Sequence, residues 1–144
     1  MIAVDSNLLV YAHRRDAPWH REARACLKRL AEAPAAWAIP WPCVHEFLSI
    51  VTHPRIYAPP STLAQGVAEV ESWMGSPSLV LLAESEDYWT TLRHVLARSR
   101  VAGPKVHDAR IAALCRMHGV RELWTADRDF GRFADLTTRN PLVT

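Results

Sequence analysis

At 144 residues the chain is sized for one domain, taken as 1–144, and long enough to bury a sizeable apolar core. No apolar run approaches the ~18 residues of a membrane span, no basic leader precedes the first apolar run, and Cys26, Cys43 and Cys115 form no C-x-x-C pair, so the expectation is a cytoplasmic protein with reduced thiols and no membrane contact. The net charge of +2 excludes little, although Arg heavily outnumbers Lys and suits phosphate contacts.

Ile2-Ala3-Val4 reads as a short buried strand, Asp5-Ser6-Asn7 as a polar turn, and Leu8 to Ala12 as a helix capped by Ser6 or Asn7. Asp5 then stands at the carboxyl end of a strand, the edge where open α/β sheets bind ligands; an N-cap or Asx-turn role also suits it. Asp16-Ala17-Pro18 opens a helix with Trp19, Ala23, Cys26, Leu27 and Leu30 on one face and Arg21, Arg24, Lys28 and Arg29 mostly elsewhere. Pro34 ends it. Ala36 to Ile39 is a second strand, and Pro42 to His53 a helix with Val44, Phe47, Leu48 and Val51 as its apolar stripe and Glu46 off it.

After a proline-rich loop, Ser61 is expected to cap a helix with Leu63, Val67, Val70 and Met74 at helical spacing. Gly75-Ser76-Pro77 breaks it. Leu79 to Leu82 is a third strand, and Ser85 the expected cap of a helix turning Tyr88, Leu92, Val95 and Leu96 inward, with Glu86 and Asp87 against its positive end. Ala102-Gly103-Pro104 is a turn. Val106 to His118 is a helix stopped by Gly119, Glu122 to Thr125 a fourth strand, and Leu136 to Arg139 a last one. The six tryptophans stand mostly at core spacing. Strands alternating with helices imply a parallel sheet in an α/β layer architecture.

Crossover helices run antiparallel to parallel strands, so their amino ends lie at the strands' carboxyl edge. Asp5 ends the first strand, Glu46 is near the start of the helix after the second, Asp108 is in the first turn of the helix before the fourth, and Asp127 follows the fourth. All four are expected at one edge. Asp108 shares the stripe of Ile111, Ala112 and Cys115, where a carboxylate needs a partner or a role. Asp129 is an alternative or an aid to Asp127. Two like charges ~4 Å apart repel by roughly 4 kcal/mol at an effective dielectric of 20. A divalent cation removes that penalty, and an all-oxygen site favours Mg²⁺ or Mn²⁺ over zinc. Such ions commonly serve phosphoryl chemistry. The histidines form no ligand pattern, and no P-loop, G-x-S-x-G or G-x-G-x-x-G occurs.

Ile2-Ala3-Val4-Asp5-Ser6-Asn7, the helical Glu46, Val106-His107-Asp108-Ala109-Arg110-Ile111-Ala112 and Leu123-Trp124-Thr125-Ala126-Asp127-Arg128-Asp129-Phe130 together resemble a PIN domain, with the greatest likeness to the VapC toxins of bacterial toxin–antitoxin pairs. The resemblance spans nearly the whole chain. It implies a three-layer α/β/α sandwich with a central parallel sheet and an Mg²⁺- or Mn²⁺-dependent ribonuclease that cleaves RNA with an activated water. Its acidic quartet falls on Asp5, Glu46, Asp108 and Asp127, with Asp5 and Asp108 as metal ligands. Ser6, Thr125 and Asp129 would support the site, and Arg128 and Arg132 would hold the RNA backbone. It further implies a VapB-type antitoxin as partner and a homodimer contacting through helices around 20–33 and 42–74. Two rivals remain: an α/β phosphatase or receiver-like protein using Asp5 as acceptor, and a non-catalytic PIN module that binds RNA or a partner.

Overall fold

A computed structural model describes residues 1–143. In chain order its elements are β1 (Ile2–Val4), α1 (Ser6–His13), α2 (His20–Glu32), β2 (Trp37–Pro40), α3 (Trp41–Val51), α4 (Leu63–Met74), β3 (Leu79–Leu82), α5 (Tyr88–Ser99), α6 (Val106–Met117), β4 (Glu122–Trp124) and β5 (Thr138–Arg139), with short 3-10 turns at Gly103–Lys105 and Arg128–Arg132.

The strands pair in the order β3-β2-β1-β4-β5, every pair parallel. Ala3 lies level with Ala38 on one side and Leu123 on the other. These central strands are buried and short, which fits their continuous apolar composition. From β1 the chain travels outward through β2 to β3. It then returns across the sheet to β4 and leaves in the opposite direction to β5. Right-handed crossovers place the helices of the two journeys on opposite faces of the sheet. Helix α1 packs on both α2 and α3, α3 packs on α4, and α5 packs on α6, giving an α/β/α sandwich. The reversal falls between β1 and β4, so a crevice opens outside their carboxyl ends.

Several boundaries differ from the sequence expectation, each for a local reason. The cap of α1 is Asp5, whose side chain accepts from the Ser6 N–H, and not Ser6 or Asn7. Helix α2 begins at His20. Trp19 takes a left-handed conformation ahead of it and stands 46% exposed, off the buried face of Ala23, Cys26 and Leu27. Helix α4 is capped by Thr62, which forms a reciprocal capping box with Gln65. Ser61 is engaged instead by His13 Nε2 at 2.9 Å and Arg14 Nη1 at 3.2 Å.

The buried face of α4 is Gly66, Val70 and Trp73, because Trp73 stacks edge-on against Phe47 with ring centroids 4.7 Å apart. That rotation leaves Leu63, Val67 and Met74 facing outward. Asp87, not Ser85, precedes α5, and Val95 alone among the expected inward residues of that helix is buried, since α5 packs on α6 at the periphery. Trp37, Trp73 and Trp124 are core residues; Trp89, like Trp19, is exposed. The three thiols are free and buried. Among the described residues no helix is long and apolar enough to cross a membrane.

Candidate active site

The crevice between β1 and β4 is built on Asp5. Its backbone N–H donates to Trp124 O at 3.0 Å, continuing the β1–β4 ladder one step past the strand. Its side chain is 3% exposed. Oδ1 accepts from Ser6 N–H at 2.7 Å and Oδ2 from the Thr125 hydroxyl at 2.8 Å. Asn7 Nδ2 donates to the same Oδ2 at 3.2 Å, and Cys43 Sγ approaches Oδ1 at 3.5 Å. The N-cap role and the site role of Asp5 therefore coexist in one side chain.

The network spreads from there in both directions. Ser6 Oγ donates to Glu46 Oε1 at 2.8 Å, fixing a carboxylate that α3 presents from its second turn. Thr125 Oγ1 accepts from Asp127 N–H at 3.0 Å and from Asn7 Nδ2 at 3.0 Å. Asn7 Oδ1 accepts from Ala126 N–H at 3.1 Å, so one amide ties the end of β1 to the loop after β4. Asp127 Oδ1 in turn accepts from Asp129 N–H at 2.8 Å, capping the Arg128–Arg132 turn.

Asp5, Glu46, Asp108 and Asp127 all line one cleft of about 210 Å³, with Tyr11, Tyr57, Ile111 and Phe130 among its other walls. The structure thus brings together the four carboxylates picked out from the sequence. It separates the two that were interchangeable there: Asp127 lines the cleft, whereas Asp129 is turned to an ion pair with Lys105. Lys105 Nζ also stands 3.8 Å from Asp108 Oδ2. Arg128 is exposed in the turn after Asp127. Arg132, at the far end of that turn, lines a separate cavity and not this cleft.

The charges are unbalanced. Burial pushes the Asp5 carboxyl up to about 6; the bonds from Thr125 and Ser6 oppose the shift, and the Glu46 charge adds to it. Burial also raises Asp108, reinforced by the charge of Asp127 and opposed by Lys105. Asp129 is held below the usual carboxylate range by its bond from Lys105. Among the described residues every buried side-chain nitrogen and oxygen has a hydrogen-bond partner. What the cleft lacks is positive charge, and its oxygen donors match a hard divalent cation. Among the described residues no three acidic, thiol or imidazole groups are drawn close enough together to hold a metal ion by themselves.

Three contributors escaped the sequence reading. Asn7 and Cys43 touch Asp5 directly, and Lys105 sits at the acidic rim. Asn7 had a signal of sorts, lying in the same turn as Asp5. A buried Cys and a Lys ahead of a helix had none.

Comparison with known proteins agrees with this fold. The family model described as the PIN domain matches residues 2–136. Ribonuclease VapC48 of Mycobacterium tuberculosis is 31% identical over 137 residues, covering 95% of this chain and 94% of that protein. VapC ribonuclease Mb2897 of Mycobacterium bovis is 32% identical over 142 residues, covering 99% of this chain and 96% of that one. Among solved structures, VapBC2 from Rickettsia felis bound to a promoter DNA fragment superposes with a TM-score of 0.67 at 17% identity, covering 96% of this chain and 98% of that chain. VapC20 of M. tuberculosis, a toxin that cleaves the sarcin–ricin loop, gives a TM-score of 0.67 at 16% identity, covering 91% and 93%. A parallel α/β/α sandwich with an acidic crevice at its switch point and a family match over most of its length belongs to the PIN-domain family. Within that family the chain stands with the VapC proteins.

Proposed function

We propose that this chain is an endoribonuclease dependent on Mg²⁺ or Mn²⁺ and the toxin of a VapBC-type toxin–antitoxin pair. The observation that carries the reading is the convergence of Asp5, Glu46, Asp108 and Asp127 on one cleft at the switch point. Relatives of similar length named as ribonucleases support it. Asp5 and Asp108 are the residues that would hold the metal, and Glu46 and Asp127 complete the oxygen set. When bound, such an ion supplies an activated water and neutralises charge on the scissile phosphate.

The protein's own contribution is positional. Ser6 holds the Glu46 carboxylate, and Thr125 holds both Asp5 and the backbone of Asp127. Arg128, exposed in the turn after Asp127, and Arg132, at the far end of that turn, would hold the RNA backbone without reading bases. In-line hydrolysis leaves a 5′-phosphate and a 3′-hydroxyl. An acceptor role for Asp5 in a phosphatase fits poorly, since Asn7 and not a second acid stands two residues after it.

A nuclease acting on cellular RNA in the cytoplasm needs restraint, and the solved VapBC assemblies support a VapB-type antitoxin as the partner. An Arg or Lys of such a peptide would be attracted to the acidic floor. A homodimer is supported by the outward stripe of Leu63, Val67 and Met74 on α4, an apolar surface a monomer would leave wet. Expression of the chain alone should arrest bacterial growth. Asp5→Asn, or co-expression of the neighbouring small open reading frame, should relieve the arrest. Unimpaired growth at high levels of wild-type protein would remove the toxin assignment.

A further inference from the structure

A second cavity, of about 120 Å³, lies between α5, α6 and the segment that follows the Arg128–Arg132 turn. Its walls are apolar: Val95 from α5, Ala112 from α6, Val120, Phe133 and Leu136. Its rim is cationic. Arg98, Arg116 and Arg132 border it with His94, and Asp135 is the one carboxylate among the residues that line it.

That carboxylate is shared. Arg98 Nη1 at 3.3 Å and Arg116 Nη1 at 2.8 Å both donate to Asp135 Oδ2. One negative charge thus faces two guanidinium groups, and Arg132 makes no ion pair among the described residues. Guanidinium groups gathered this way repel one another, and an oxyanion among them accepts several charge-assisted bonds in a geometry Arg favours. The apolar walls ask for a body as well as a charge. An enclosed apolar cavity of about 150 Å³ accommodates one benzene ring, so this smaller one, open at its cationic rim, takes a short branched chain or a single ring seated partly outside it.

We propose that the cavity is a binding site for a small amphipathic anion: a one-ring or branched apolar group carrying a carboxylate or a phosphate. The apolar part lies against Val95, Phe133 and Leu136, and the anionic head meets Arg98, Arg116 and Arg132. The site is separate from the acidic cleft, and the binding does not depend on the nuclease reading.

Phenylacetate, phenyl phosphate and benzylammonium share a ring and differ in charge. Each is titrated into the isotopically labelled full chain and followed by amide NMR shifts. The two anions should give saturable shifts at Val95, Val120 and Leu136, and the cation should not. The tighter of the two anions identifies the preferred head. Arg132→Gln should weaken anion binding about tenfold or more, the usual worth of a hydrogen bond to a charged group. Ala134→Trp, at an exposed position on the lining, should obstruct entry without disturbing the core. Equal binding of the cation, shifts confined to the outer stripe of α4, unchanged affinity in both variants, or no saturable binding of either anion at millimolar concentration would each overturn the proposal. So would binding seen only with an acidic peptide.

Discussion

Thr125 and Ser6 each have one hydroxyl proton and direct it to a different carboxylate, Asp5 and Glu46 respectively. Thr125 also accepts from Asp127 N–H and Asn7 Nδ2, so its loss leaves Asp127 N–H without a partner and takes one bond each from Asn7 and the buried Asp5 carboxylate. Thr125→Val should therefore cost about 1–3 kcal/mol, the penalty of unsatisfied buried polar groups. Thr125→Ser should stay close to wild type. Urea unfolding of the three proteins checks this.

Asp5 itself makes metal-free stability depend on pH. Its carboxyl rises from 3.8 to about 6 in the folded protein, so folding favours its protonated form. Any stability it supports is fully present below about pH 4 and is lost as pH rises through 6. A shift of that size corresponds to about 3 kcal/mol. Relative to Asp5→Asn, wild-type protein without divalent ions should lose stability on that order between pH 4 and 6.5, a difference that isolates Asp5 from Asp108, which shifts the same way. A flat difference curve would show that Asp5 is not buried as a charge.

The four cleft acids were legible in the chain because each sits at a strand end or helix start, and parallel topology sends those positions to one edge. The choice between Asp127 and Asp129 was not legible. It turns on Lys105, which is distant in sequence and draws Asp129 away.

Helix α4 shows where element-level reading stops. Leu63, Val67, Val70 and Met74 all satisfy helical spacing, yet the helix buries Val70 and exposes the other three. Periodicity marks an apolar helix but not which of two adjacent apolar stripes meets α3. That was decided by Trp73 against Phe47 and by Gly66, where an added Cβ would lie 3.0 Å from Leu48 Cδ2. The strand positions fared better, since short apolar runs bounded by turn residues leave little choice of register. The outward stripe gives a direct test of the proposed homodimer. Val67→Glu should shift the protein toward monomer in light scattering while leaving its unfolding midpoint nearly unchanged. At the start of the same helix, Thr62→Ala removes the capping box and should cost about 1 kcal/mol.

For the whole molecule, the strand order is what assembles the site. Reversing direction between β1 and β4 leaves Asp5 and Asp127 on adjacent strand ends, while the amino ends of α3 and α6 bring Glu46 and Asp108 to the same crevice. The result is a concentrated negative charge in a chain whose net charge is +2, with Arg side chains distributed outside the cleft. Such a distribution attracts a divalent cation to the floor and a polyanion to the rim. The most direct test is cleavage of total RNA by the purified chain, with ends mapped in Mg²⁺, in Mn²⁺ and in EDTA, alongside folded Asp5→Asn and Asp108→Asn. Cleavage leaving 5′-phosphates, present with either metal, absent in EDTA and reduced at least about a hundredfold in both variants, is the expected result. Full cleavage in EDTA, or wild-type rates in either variant, would contradict the account.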